Sequence, residues 1–217
     1  MIKAVIFDMD GVLIDTEPLN DQHMAIFLKK MGVKVSSEYL EQFRGTTAKT
    51  LSVKLISDFN LTQPVEKLIL DIRNSYLEFL SSLPDLKPIE GIPQLITRLK
   101  SKKLKLAVAS SAYPKRIEML LSLCKLQQSF DVIVGGDHVE KSKPAPDIYL
   151  KAAELLSISA DNCVVIEDAK NGILAAKNAG MKVIGFKGLM HNKQDLSSAD
   201  VIIKNFKKIT YFSLQKL

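Results

Sequence analysis

Two acidic residues follow the first apolar run of the chain. Residues 3–7 have the pattern of a short strand, and Asp8, Met9, Asp10 and Gly11 come directly after it. Because Asp8 and Asp10 are two positions apart, their carboxylates can point the same way, and Gly11 lets the backbone turn at once. Two neighbouring carboxylates repel each other, so such a pair usually binds a cation or shares a proton. An exposed turn rich in Asp and Gly is the alternative for this motif taken alone.

Two serines and a lysine could supply anion-binding groups. Ser110 and Ser111 come directly after the apolar run 104–109, and hydroxyl and backbone N–H groups at a strand-to-helix turn form a ready anion site. Lys143 lies in a loop with two prolines, whose restricted freedom suits a positioned point charge. Taken alone, each has an ordinary explanation, namely a serine that caps a helix and a solvated loop lysine.

A second acidic pair, Glu167 and Asp168, ends the apolar run 163–166. Acids at a helix N-terminus would explain this pair equally well. Polar clusters at the ends of four separate predicted strands are nevertheless much less expected by chance than any one of them. Together they offer a nucleophilic and an acid/base carboxylate, a hydroxyl, an ammonium and further carboxylate for a metal. This set of groups is suited to Mg²⁺-assisted phosphoryl transfer.

Alternating strands and helices must position these residues. The predicted strands are nearly continuous apolar runs, which is typical of strands covered on both faces of a parallel sheet. They span residues 3–7, 104–109, 132–134, 163–166, 183–186 and 201–203. The predicted helices between them span residues 93–102, 115–124, 147–156 and 171–179. This alternation predicts an α/β fold with a doubly wound parallel sheet, in which sites form beyond the carboxyl ends of the strands.

One segment interrupts the alternation. From about residue 17 to about residue 83 the pattern is helical, with predicted helices at 18–31, 38–43, 47–59 and 65–80. A segment of this length is far more than a crossover connection needs, so it predicts an inserted helical domain. The predicted core comprises residues 1–15 and 84–217, and the predicted insertion comprises residues 16–83.

The motifs, their order and their context resemble those of the haloacid dehalogenase superfamily. Within it, the chain is similar to the β-phosphoglucomutase-like sugar phosphatases, which have a Rossmann-like core and an α-helical cap placed after the first motif. The resemblance covers essentially the whole chain. The four matching segments are residues 7–17, 109–111, 141–149 and 165–173.

The resemblance implies a role for each acidic residue. Asp8 would be the nucleophile that forms an aspartyl phosphate. Asp10 would protonate the leaving alcohol and later activate water. Mg²⁺ would be held by Asp8, the backbone carbonyl of Asp10 and Asp168. Glu167 would be a ligand through water or a support of the site.

The resemblance also implies where the substrate binds. Ser110, with Ser111 beside it, would bind the phosphoryl group, and Lys143 would neutralise its charge. The cap would close over the substrate and exclude water. The candidate residues for substrate selection lie in a loop between two cap helices, where a plain turn is the alternative: Arg44, Gly45, Thr46 and Thr47.

Within this superfamily the fold does not fix the function. We expect a Mg²⁺-dependent hydrolase of a small phosphorylated metabolite such as a sugar phosphate, with a β-phosphoglucomutase-type mutase as the main alternative. Where such mutases carry a histidine, an arginine and polar residues that grip a second phosphate, this chain has Asn20, Ala48 and the segment 112–114. Lys49 could replace the arginine. Dehalogenases and phosphonatases lack the acid found here as Asp10, and a non-enzymatic receiver-like phospho-acceptor module would need neither that acid nor a cap.

Composition and charge exclude several classes of protein. Hydrophobic residues make up 47% and charged residues 25% of the chain, which excludes disordered and collagen-like chains. No uncharged stretch is long enough to span a membrane, and acids occur too early for a signal peptide. Two cysteines indicate a reduced compartment. We therefore expect a cytoplasmic monomer whose partner is a small phosphorylated metabolite, with no nucleic-acid or membrane partner.

The formal net charge of +6 lies outside the predicted cap, where eight acidic and eight basic residues cancel. Basic residues are concentrated in residues 98–116 and in residues 201–217, the latter on a predicted C-terminal helix. Neither segment has a groove-entering motif of the kind that favours nucleic-acid binding. They are therefore interpreted as solvated faces.

Overall fold

The chain folds into two compact units. A computed structural model describes residues 1–41 and 48–217. One unit comprises Met1–Asp15 together with Asp85–Leu217, and the other comprises Thr16–Pro84. The first unit contains a β-sheet, whereas the described residues of the second form helices and their connections.

The first unit is built on a six-stranded sheet in which neighbouring strands are parallel. Its strands are β1 (Ala4–Phe7), β2 (Lys105–Ala109), β3 (Val132–Val134), β4 (Cys163–Glu167), β5 (Lys182–Phe186) and β6 (Val201–Ile203). The spatial order is β3-β2-β1-β4-β5-β6. Strands β2 and β3 therefore lie on one side of β1, and strands β4, β5 and β6 lie on the other side. This order confirms the predicted α/β doubly wound sheet, and it reverses beside β1, where such sheets bind ligands.

Strand β1 is the centre of the sheet. Its residues Val5, Ile6 and Phe7 are fully buried, which requires cover on both faces of the sheet because successive side chains alternate. Phe7 is level with Val108 of β2 and with Ile166 of β4. The residues that follow these three positions therefore emerge at the same edge of the sheet.

Helices follow the strands in the order that the sequence predicts. In the second unit they are α1 (Glu17–Lys30), α2 (Ser37–Glu41), α3 (Ala48–Phe59) and α4 (Val65–Ser81). In the first unit they are α5 (Ile92–Ser101), α6 (Pro114–Leu123), α7 (Asp147–Leu156), α8 (Lys170–Asn178) and α9 (Tyr211–Leu214). Helices α7 and α8 pack on one face of the sheet, where Tyr149 and Ile173 join a buried cluster with Ile6 and Val165. Gly180 follows α8 with a φ of 74°, the left-handed conformation that commonly ends a helix.

The second unit has a hydrophobic core of its own. Leu28 of α1, Leu55 of α3 and Leu68 of α4 are fully buried and belong to one cluster. His23 is buried against the edge of the Tyr76 ring at a centroid distance of 4.9 Å. Its Nε2 lies 2.8 Å from the hydroxyl of Ser75, which gives this ring nitrogen a hydrogen-bond partner.

The C-terminal segment differs from the prediction of a basic helix. Only Tyr211–Leu214 is α-helical, and the exposed lysines of the segment lie outside it: Lys204, Lys207, Lys208 and Lys216. The reason is a helix start within the segment: Thr210 has an extended backbone (φ −122°, ψ 162°) and its hydroxyl accepts from the Ser213 N–H, so a new helix begins there. Within the described part of the chain, no helix combines the length and the apolar character needed to cross a membrane.

Candidate active site

Three central strands deliver the buried polar residues of the site. Asp8 directly follows β1, Ser110 directly follows β2, and Glu167 is the last residue of β4. Because β1 lies between β2 and β4, these residues meet at the carboxyl edge of the sheet. Asp8 is 7% exposed, Ser110 0% and Glu167 1%. Groups buried to this extent need polar partners, since an unsatisfied one destabilises the fold.

Lys143 supplies the positive charge of the site. It lies in the connection between β3 and α7, and its side chain is 9% exposed. Its Nζ lies 2.5 Å from Asp8 Oδ1 and 2.8 Å from Glu167 Oε1. It also donates to the carbonyl oxygen of Ala109 at 3.3 Å. The ammonium therefore joins the ends of three neighbouring strands.

Both carboxylate oxygens of Glu167 are held by donors. Oε1 accepts from Lys143 Nζ and, at 2.9 Å, from the hydroxyl of the buried Tyr149. Oε2 accepts from the backbone N–H groups of Asp168 at 2.8 Å and Ala169 at 2.9 Å. These four donors occupy both oxygens of the carboxylate and fix its orientation. This arrangement suits a residue that fixes its neighbours better than it suits a direct metal ligand.

Asp168 lies against Gly11 and Asn192. Gly11 has a φ of 78°, and a Cβ at this position would lie 2.1 Å from Asp168 Oδ2. Both the backbone conformation and the available space therefore demand glycine. The side-chain amide of Asn192 donates to the carbonyl oxygen of Asp168 at 2.8 Å and to its Oδ2 at 3.1 Å. These contacts fix the orientation of the Asp168 carboxylate.

Asp10 is held by two residues that follow β2, Ser110 in the connection and Arg116 in α6. Its Oδ1 accepts from Arg116 Nη2 at 2.7 Å, and its Oδ2 lies 3.4 Å from the Ser110 hydroxyl. The Asp10 side chain is 36% exposed, much more than that of Asp8 at 10%. The two acids of the first motif therefore have different surroundings, one buried beside an ammonium and one at the surface beside a guanidinium.

Burial and repulsion shift the charges of the site. Burial, with added repulsion from Glu167 and Asp10 and against the attraction of Lys143, raises the pKa of Asp8 to about 8. Burial and the neighbouring carboxylates raise the pKa of Asp168 to about 9. Burial also opposes the charged form of Lys143, but Asp8 and Glu167 outweigh it and raise the pKa of the ammonium well above its usual value. The site therefore has more acidic groups than Lys143 could balance if all of them were ionised.

The acidic residues form a group that fits a divalent cation. Asp8, Glu167 and Asp168 each place a carboxylate oxygen within 4.8 Å of the other two. A hard cation such as Mg²⁺ prefers oxygen ligands of this kind. It would also offset the repulsion among the carboxylates, which adds to the effect of burial in raising the pKa values of Asp8 and Asp168.

The predicted site residues fall into three groups. The structure brings together Asp8, Asp10, Ser110, Lys143, Glu167 and Asp168. Ser111 is exposed beside Ser110. The residues of the predicted cap loop lie outside the described residues: Arg44, Gly45, Thr46 and Thr47.

Three residues of the site were not predicted from the sequence. Tyr149 lies within the third motif, where its position on the buried face of α7 could have indicated a role. Arg116 belongs to the basic segment interpreted as a solvated face, which is wrong for this residue, since its side chain is only 19% exposed and contacts Asp10. Asn192 is in a loop with no pattern that would single it out.

A family model for haloacid dehalogenase-like hydrolases matches residues 5–186, most of the chain. The chain belongs to this family. The match confirms the resemblance inferred from the motifs and the expectation of a hydrolase.

The relatives of the chain are named for different activities. The chain is 33% identical to the phosphorylated carbohydrates phosphatase of Thermotoga maritima, over 89% of this chain and 88% of that protein. It is 29% identical to the beta-phosphoglucomutase of Bacillus subtilis, over 96% of this chain and 92% of that protein. The crystal structure of CbbY from Rhodobacter sphaeroides in complex with phosphate has a TM-score of 0.83 and 27% identity, covering 96% of both chains.

Some relatives are much longer than this chain. The match to the protein SUPPRESSOR OF QUENCHING 1, chloroplastic, of Arabidopsis thaliana is 38% identical over 86% of this chain but spans only 18% of that protein. The chain thus corresponds to one part of that larger protein.

Proposed function

We propose that the chain is a Mg²⁺-dependent phosphomonoester hydrolase that forms an aspartyl phosphate on Asp8. Its substrate is a small phosphorylated metabolite, and a sugar phosphate is the class we favour. The observation that best supports the proposal is the position of Lys143, whose ammonium lies between the Asp8 and Glu167 carboxylates at the carboxyl edge of the sheet. The name of the phosphatase relative from Thermotoga maritima supports the substrate class.

Asp8 and Asp10 divide the chemistry in this proposal. An Asp8 oxygen attacks phosphorus while the bond from phosphorus to the substrate oxygen breaks, and the electron pair of that bond stays on the leaving oxygen. Asp10 gives this oxygen a proton, so an alcohol leaves. Asp10 then takes a proton from water as the water attacks the phosphorus of the aspartyl phosphate. Inorganic phosphate leaves, and the Asp8 carboxylate is restored.

Lys143 and Ser110 prepare the site for a phosphate. The ammonium of Lys143 holds the Asp8 carboxylate in place and offsets the charge of an incoming phosphoryl group. The buried Ser110 hydroxyl, with the backbone N–H groups of its turn, would donate to a phosphoryl oxygen. Exposed Ser111 would have at most a lesser part in this binding.

The groups that would bind the metal are the carboxylates of Asp8 and Asp168 and the backbone carbonyl of Asp10. When bound, Mg²⁺ supplies charge neutralisation to the phosphate and to the carboxylates. Glu167 would support the site through its contacts with Lys143 and with the Asp168 backbone. Its two oxygens already accept from four donors.

The second unit, Thr16–Pro84, would be the cap that selects the substrate and excludes water. Its candidate specificity residues stay predictions: Arg44, Gly45, Thr46 and Thr47. A cytoplasmic location, a monomeric state and the absence of nucleic-acid or membrane partners also stay predictions from the sequence.

The experiment that tests the proposal is a phosphate-release screen over sugar phosphates, nucleotides and glycolytic acids with MgCl₂. We expect release from at least one sugar phosphate and none by the Asp8→Asn variant, because an amide is a poor nucleophile. Asp161→Asn is the matched control, since Asp161 is an exposed acid just before β4, at the opposite edge of the sheet. Full activity of Asp8→Asn would refute the mechanism. A screen with no release above background would refute the hydrolase and favour a receiver-like phospho-acceptor.

A phosphosugar mutase is the second candidate, because a relative that aligns with almost the whole chain is named beta-phosphoglucomutase. A single assay distinguishes the hydrolase from the mutase. The protein is incubated with β-glucose 1-phosphate and a catalytic amount of glucose 1,6-bisphosphate, and the products are identified. Free phosphate as the main product supports the hydrolase, whereas glucose 6-phosphate as the main product supports the mutase.

A further inference from the structure

An ion pair links Asp10 to a residue far away in the sequence. Arg116 Nη2 donates to Asp10 Oδ1 at 2.7 Å across a sequence separation of 106 residues. The Arg116 side chain is 19% exposed and that of Asp10 is 36% exposed. A charged hydrogen bond with this degree of burial is stronger than an ion pair between fully exposed side chains.

The backbone positions of the two residues give the pair a fixed geometry. Asp10 lies in the turn after β1, where the Gly11 N–H donates to the carbonyl oxygen of Ile14 at 2.8 Å. Arg116 is the third residue of α6, and its backbone N–H donates to the carbonyl oxygen of Tyr113 at 3.0 Å. The guanidinium therefore reaches Asp10 from a rigid helical turn.

The contacts distinguish the two oxygens of Asp10. Oδ1 accepts from Arg116, whereas Oδ2 faces the hydroxyl of Ser110 at 3.4 Å. In the proposed function, Ser110 binds a phosphoryl oxygen, so the Oδ2 side of the carboxyl group is the side toward the ester. Arg116 thus holds one oxygen while the other is directed at the place where a proton must be transferred.

We propose that Arg116 is a positioning residue for Asp10, which it orients so that Oδ2 exchanges the proton with the leaving oxygen. This inference rests on the proposed function. General acid catalysis requires hydrogen-bond geometry between the acid and the leaving oxygen, and a surface aspartate without a fixed partner would sample several rotamers. Arg116 acts through Asp10.

The test compares two substrates that differ in their need for an acid. A sugar alkoxide must be protonated as it leaves, whereas 4-nitrophenolate leaves readily without a proton. The ratio kcat/KM is the right quantity, because it reports the steps up to release of the alcohol and is independent of aspartyl-phosphate hydrolysis. The probes are 4-nitrophenyl phosphate and the sugar phosphate with the highest kcat/KM in the screen described above.

We expect Arg116→Gln to lower kcat/KM about 10- to 100-fold for the sugar phosphate, a part of the usual contribution of a general acid. The same variant should change kcat/KM for 4-nitrophenyl phosphate much less. Arg116→Lys keeps the charge without the planar fork, so it should recover part of the lost activity. Lys115→Gln is the matched control, because it removes a charge from the neighbouring exposed position and should leave both ratios unchanged.

A double variant tests whether Arg116 acts through Asp10. In an Asp10→Asn background, Arg116→Gln should cause little further loss on the sugar phosphate, because two residues that act as one unit are not additive. Fully multiplicative losses, or an equal loss on both substrates in the single variant, would overturn the inference while leaving the proposed function intact. If the wild-type protein hydrolyses neither probe, the proposed function itself fails, and the inference fails with it.

Discussion

Gly172 lies directly against the carboxylate of Glu167. A Cβ at Gly172 would be 1.6 Å from Glu167 Oε1 and 2.6 Å from Oε2. Gly172 is in the first turn of α8, which starts three residues after β4 ends. The short connection folds the helix onto the last side chain of the strand, so only a hydrogen atom fits between them. The carboxylate that holds Lys143 therefore depends on a residue without a side chain at position 172.

Gly172→Ala should reduce both activity and stability. The added methyl must displace Glu167 or the start of α8, and overpacking of this kind destabilises a fold by about 1–3 kcal/mol. Because Glu167 holds Lys143, we expect kcat/KM for the best sugar phosphate to fall as well. Denaturant unfolding and steady-state kinetics measure the two effects.

Gly180→Ala serves as the control for this substitution. Gly180 has a φ of 74° and no atom within 4 Å of an added Cβ, so alanine there should cost about 1–2 kcal/mol of backbone strain and leave kcat/KM unchanged. Wild-type kinetics in Gly172→Ala would contradict the close packing against Glu167.

The fold and most of the site were predictable because their signals are local. Apolar runs such as the one that forms β1 identify strands buried on both faces, and acids directly after them identify the carboxyl edge. Asp8, Glu167 and Asp168 could be placed together because the carboxyl ends of parallel strands lie side by side. Lys143 could be assigned to the site only through the motif around it, because a lysine in a loop has no fixed position by itself.

The partners of these residues could not be predicted in the same way. Arg116 meets Asp10 across 106 positions, and Asn192 meets Asp168 across 24. Such pairs depend on the exact direction of side chains from a helix turn and a loop, which no local pattern specifies. The sequence pattern therefore groups Arg116 with the solvated basic residues near it, although its side chain contacts Asp10 in the site.

Added Mg²⁺ should raise the melting temperature more at about pH 9 than at about pH 6. The carboxyl groups of Asp8 and Asp168 have folded-state pKa values of about 8 and about 9, against an ordinary value of 3.8. Their contribution to the stability of the metal-free protein is fully present below the ordinary value and is lost as pH rises through the folded-state values. A bound cation favours the ionised carboxylates, so its stabilising effect grows over that interval.

Thermal unfolding at the two pH values, with EDTA or with MgCl₂, measures this difference. Asp168→Asn is the informative variant, because it removes one of the two titrating groups and a proposed ligand. It should flatten the pH dependence of the metal-free protein and reduce the effect of Mg²⁺. A stabilisation by Mg²⁺ that is equal or larger at the lower pH would contradict the assignment.

Asn192→Ala should weaken the response to Mg²⁺ without abolishing catalysis. The amide of Asn192 donates to both the backbone oxygen and Oδ2 of Asp168, and groups that orient a metal ligand typically contribute about 10- to 100-fold to metal affinity. We expect the Mg²⁺ concentration for half-maximal activity to rise about 10-fold, with kcat at saturating Mg²⁺ largely retained. Lys193→Gln, at the exposed neighbouring position, should leave the Mg²⁺ dependence unchanged. If Asn192 only holds its loop, Asn192→Ala would lower the melting temperature while the Mg²⁺ concentration for half-maximal activity stayed at the wild-type value.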